Sequence, residues 1–111
     1  MLVDAAGNYE KALGFINPFE QQNRLNYLVS LGSIYSMLEQ PDKSINAYIQ
    51  AVDFAPNNPE VWQIEEAIAQ EFLALNDPTN ALVHLQKAFI SSQDDQKDRL
   101  QQMITQLGGT P

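Results

Sequence analysis

Cysteine is absent from this chain. That removes disulfides, zinc fingers, iron–sulfur ligation and thiol catalysis together. Histidine occurs once, at His84, which leaves a multi-histidine metal site without ligands. Basic residues are few: 6 Lys and Arg stand against 14 Asp and Glu, a formal charge of -8. Nucleic-acid affinity comes largely from Lys and Arg on phosphates, so DNA and RNA are poor partners, and an anionic membrane surface is disfavoured by the same sign. No stretch approaches the roughly 20 apolar residues of a membrane span, so membrane insertion is not expected. The start, Met1 to Gly7, has no basic region and meets Asp4 before an apolar run builds. It does not read as a secretory signal, and the expected location is cytoplasmic.

What is present suits one soluble domain: 111 residues, 44% hydrophobic and 18% charged. Self-comparison reveals a repeat. A shift of 37 residues lays Leu31 on Ile68, Gly32 on Ala69, Tyr35 on Phe72, Leu38 on Leu75 and Pro41 on Pro78. It also lays Ser44 on Ala81, Ile45 on Leu82, Tyr48 on Leu85 and Ala51 on Ala88. Large residues meet large and small meet small, the mark of a row of like units.

Within each unit the apolar residues recur at helical spacing, as in Leu25, Leu28, Leu31, Tyr35 and Leu38. Asn17-Pro18, Asn58-Pro59 and Asp77-Pro78 read as helix starts, with a cap and a first-turn proline; Gln40-Pro41 has the proline and a weaker cap. Helices are predicted at about 18–39, 41–55, 59–75 and 78–91. A further amphipathic stretch, 94–107, carries Leu100, Met103, Ile104 and Leu107 on one stripe and stops at Gly108-Gly109. Connections this short make consecutive helices antiparallel. Small residues, Gly32, Ser44 and Ala51, then Ala69, Ala81 and Ala88, allow close approach, while Leu28, Leu31, Tyr35 and Tyr48 fill the space between hairpins.

Leu28, Leu31-Gly32, Tyr35, Ser44, Tyr48, Ala51 and Pro56 fall at the spacing of the tetratricopeptide repeat, which this chain resembles. Leu28 stands where Trp is usual and Ser44 where Ala is usual. Trp62 opens a second unit on time, but Phe72 to Ala88 run three residues late, which reads as nearly one extra turn in that unit's first helix. The resemblance implies an all-α fold, an α-α superhelix of antiparallel hairpins with a C-terminal capping helix. Its parts are a partial or degenerate repeat at 1–16, repeats at 17–58 and 59–93, and the cap at 94–107.

The resemblance also implies a groove lined by the first helix of each hairpin. Matched to the family pattern, its residues are Asn26, Val29, Ser33, Ser36 and Met37, then Gln63, Glu66, Gln70, Leu73 and Ala74. Such a lining of amides, hydroxyls and a few apolar groups suits an extended polypeptide. Some family members grip a chaperone's C-terminal carboxylate with basic groove residues; no Lys or Arg stands at the matching positions here. Glu66, and the four Glu without a basic residue between Pro59 and Leu75, favour a neutral or basic protein or peptide instead.

Catalytic signals are lacking. Gly108-Gly109 has none of the context of a phosphate loop, Glu65, Glu66 and Glu71 read as a solvated acidic face, and His84 reads as a surface or partly buried side chain. Trp62 reads as core rather than as a binding hot spot. The expected function is therefore a non-catalytic, cofactor-free interaction module, a scaffold or adaptor. The alternative is self-association into a homo-oligomer, with the apolar N-terminal half repeat (Leu2, Val3, Tyr9, Leu13, Phe15, Ile16) completed by another copy or by further sequence.

Overall fold

Residues 21–110 are described by the computed structural model, so the helix start expected at Asn17-Pro18 and the partial repeat at 1–16 lie outside the described residues. Five helices follow one another: α1 (Gln21–Met37), α2 (Pro41–Phe54), α3 (Val61–Ala74), α4 (Pro78–Ser91) and α5 (Asp94–Gln106). Among the described residues there is no strand. None of these helices is long and apolar enough to cross a membrane.

The corners between helices are built alike. α1 ends at a left-handed Glu39 (φ 57°) and α3 at a left-handed Asn76 (φ 56°), two positions related by the 37-residue repeat. In each corner the next N–H reaches back over the last turn: Gln40 donates to the Tyr35 carbonyl (2.9 Å) and Asp77 to the Phe72 carbonyl (2.9 Å). This is the Schellman closure of helix C-termini. Proline then opens the following helix, at Pro41 and Pro78. The Asp77 side chain caps α4 by accepting from the Asn80 N–H (3.1 Å), whereas the Gln40 side chain makes no cap bond.

α3 departs from expectation at its start. Asn58 does not begin the helix; its side chain accepts from the Glu60 N–H (2.8 Å) and its carbonyl from the Val61 N–H (3.0 Å), so Pro59 and Glu60 form a turn. The helix proper begins at Val61 and has 14 residues, so the extra turn expected in the second unit's first helix is not there. Three-residue corners at 38–40 and 75–77 fold α1 onto α2 and α3 onto α4 as antiparallel pairs.

Packing joins these pairs into a row. One buried cluster combines Leu25 and Leu28 of α1, Ile45, Tyr48 and Ala51 of α2, and Ile64 and Ile68 of α3. A second combines Trp62 and Ala69 of α3, Ala81, Leu85 and Ala88 of α4, and Leu100 and Ile104 of α5. α3 thus gives opposite sides to two cores. Trp62 is core, as its position indicated. Small residues sit where contacts are tightest: a Cβ on Gly32 would lie 2.7 Å from the Tyr48 ring, and the buried Ser44 hydroxyl donates to the Gly32 carbonyl (2.8 Å). α5 buries Leu100 and Ile104 completely and turns Gln101, Gln102, Thr105 and Gln106 outward. Lys97 binds it to the end of α4, donating to the Phe89 carbonyl (2.5 Å) beneath its contact with the Phe89 ring.

Candidate functional site

The candidate site begins with two stripes, each stepping by three, four, three and one residues: Asn26, Val29, Ser33, Ser36 and Met37 on α1 and Gln63, Glu66, Gln70, Leu73 and Ala74 on α3. None of the ten is buried. Their surroundings differ along the row.

Between α1 and the start of α3 lies a cleft of about 520 Å³. It brings together Asn26, Val29 and Gln63 of the expected residues. Leu25, Val29, Ile64 and Ala67 supply apolar groups, and Gln22, Asn26, Ser30, Asn58, Glu60 and Gln63 surround them with amides, a hydroxyl and one carboxylate. Tyr48 enters from α2 beneath both helices. Sequence reasoning missed much of this lining for identifiable reasons. Leu25, Tyr48 and Ile64 read as core because they are core, with only an edge reaching the cleft; Asn58 and Glu60 read as helix-start residues. The loop geometry that turns them toward the cleft has no periodic signal.

Further along the row, the expected positions meet the protein's own groups. Glu66 is held by Arg99 of α5 through two parallel bonds, Nη1 to Oε2 (2.5 Å) and Nη2 to Oε1 (2.9 Å). This hydrogen bonding to Glu66 raises the guanidinium above its ordinary value, burial opposing slightly. The Gln96 side chain accepts from the same guanidinium (3.0 Å). Glu66, expected to await a basic ligand, therefore already has a cation. Leu73 leans on the second core cluster. Ser33 is exposed and Ser36 half-buried, and Gln70, Ala74 and Met37 (61% exposed) face solvent outside the cleft.

Burial pushes the Tyr48 phenol above its ordinary value; the bond with Ser33 works against this and the Glu71 charge adds to it. The phenol consequently stays a neutral donor beside the cleft.

The acids of α3 do not form the solvated face expected of them. Glu65 is 4% exposed and its Oε2 lies 3.3 Å from Nδ1 of His84, whose ring stacks on Phe72 at 5.4 Å. The 37-residue shift lays Glu65 on Leu28 and His84 on Ala47, so a polar pair in the second hairpin occupies positions that are apolar in the first. Two polar residues at buried repeat positions were the available signal for this contact.

Chemically, the cleft offers an apolar floor for one or two aliphatic side chains and amide groups that can donate to and accept from a polypeptide backbone. Compared with family models, curated proteins and solved structures, the chain matches none.

Proposed function

We propose that this protein is a non-catalytic interaction module, a scaffold or assembly adaptor, which holds an extended peptide or partner helix in the cleft between α1 and α3. In this reading the helix pairs form a tetratricopeptide-like superhelical row, with repeats at 17–58 and 59–93 and α5 as its cap. One observation carries the function: an open cleft of about 520 Å³ that has apolar groups from both helices and mixed donors and acceptors around them. Apolar surface of this kind gains by being covered, and the surrounding amides give a covering backbone its hydrogen bonds. The net charge of -8 draws in neutral or basic partners in preference to acidic ones.

The test is a pull-down from the native host with mass-spectrometric identification, using wild type, Val29→Asp in the cleft, and Gln101→Glu on the outward side of α5. Wild type and Gln101→Glu are expected to retain the same partners. Val29→Asp should lose them while its circular dichroism spectrum is unchanged. Equal retention by Val29→Asp would remove the cleft from the account.

A further inference from the structure

We infer that the cleft selects a segment with an aliphatic side chain two residues from a lysine or arginine, and that Glu60 holds the cation. This rests on the interaction reading above and gives it a ligand class.

Three acids crowd the first half of α3 and its approach, and two are already occupied. Glu65 faces His84 and Glu66 is taken by Arg99. Glu60 is exposed, caps no helix with its side chain and makes no ion pair among the described residues. Among the described residues it is also the one charged side chain lining the cleft. Its backbone is fixed by the Asn58 side chain (2.8 Å), so the carboxylate leaves from a set point on the rim.

Spacing supplies the rest. Glu60 is the residue immediately before α3, and Ile64 lies about 6 Å further along the helix axis. Alternate residues of an extended strand point the same way roughly 6.5–7 Å apart. A ligand placing an aliphatic group over Leu25, Val29 and Ile64 therefore brings its second neighbour to Glu60. The aliphatic contact excludes water beside the carboxylate, which strengthens the charge pair. Glu66 selects nothing, since Arg99 answers it from within.

A random octapeptide library displayed on phage, selected on the protein and depleted on Val29→Asp, tests the inference. Enriched sequences are expected to share an aliphatic residue with Lys or Arg at the second position to either side. A synthetic peptide from that set should bind Glu60→Gln roughly three- to fivefold more weakly. It should bind Asp42→Asn, which removes one exposed charge from the start of α2, as wild type does. Val29-dependent sequences with acidic or uncharged neighbours would overturn the cation rule and leave the cleft standing. Equal weakening by Glu60→Gln and Asp42→Asn would reduce the effect to net charge and overturn Glu60's part. No Val29-dependent enrichment would remove the interaction reading and this inference with it.

Discussion

Glu39 occupies a left-handed conformation (φ 57°) in which its Cβ crowds the following carbonyl, a strain glycine does not feel. Glu39→Gly is expected to raise stability by about 1 kcal/mol in urea unfolding, because the Schellman corner is kept and the crowding removed. The Glu65–His84 contact makes the opposite kind of prediction. His84→Ala leaves a carboxylate that is 4% exposed without its partner and should cost roughly 2–4 kcal/mol. Adding Glu65→Leu, which restores the residue type of the first hairpin, should recover most of that loss in a double-mutant cycle. Tyr48 sets a pH limit. Its folded phenol ionises at higher pH than the unfolded one, so its contribution is complete below about pH 10 and is lost as pH rises through the folded value. Tyr48→Phe should flatten the fall in stability above about pH 10, read by urea unfolding across that range.

Arg99 ties α5 to α3, but it is 47% exposed, so solvent screening leaves the pair worth about 0.5 kcal/mol. Arg99→Gln should therefore barely move the melting temperature, while amide exchange in α5 quickens before that of α1 to α4. Two of the helices, α2 and α4, were legible in the sequence because two rules agreed at each of them. Apolar periodicity marked the span of α2 and α4, and Pro41 and Pro78 marked the first residue. At α3 the rules disagreed. Asn58-Pro59 is as good a helix start as Asp77-Pro78, yet Asn58 spends its side chain and carbonyl on a turn, and the helix waits until Val61. The left-handed corners left a sign only at Asn76, since glutamate at position 39 is not a residue that advertises positive φ. Cross-helix partners such as Glu65 with His84 and Glu66 with Arg99 lie 19 and 33 residues apart, beyond any pattern read along one helix.

For the whole molecule, the question is whether the two helix pairs are separable. Ile68 of α3 is fully buried in the first cluster, while Trp62 and Ala69 of the same helix belong to the second. Ile68→Ala should cost about 2–5 kcal/mol, and because the helix is shared, amide exchange should rise in α4 and α5 as well as in α1 and α2. A change confined to α1 and α2 would show that the pairs unfold independently. Of the residues that the family resemblance implied for a groove, Asn26, Val29 and Gln63 line the cleft, each on a helix face. Glu60 and Asn58 reach it through a turn, and Tyr48 through a neighbouring helix, and only three dimensions bring them in. α3 also supplies one wall of the cleft, through Gln63, Ile64 and Ala67. A beam clamped from both sides cannot roll about its axis without prising open one of the clamps. For the ligand proposed above, that wall would stand ready-made, so little freedom would be surrendered on contact.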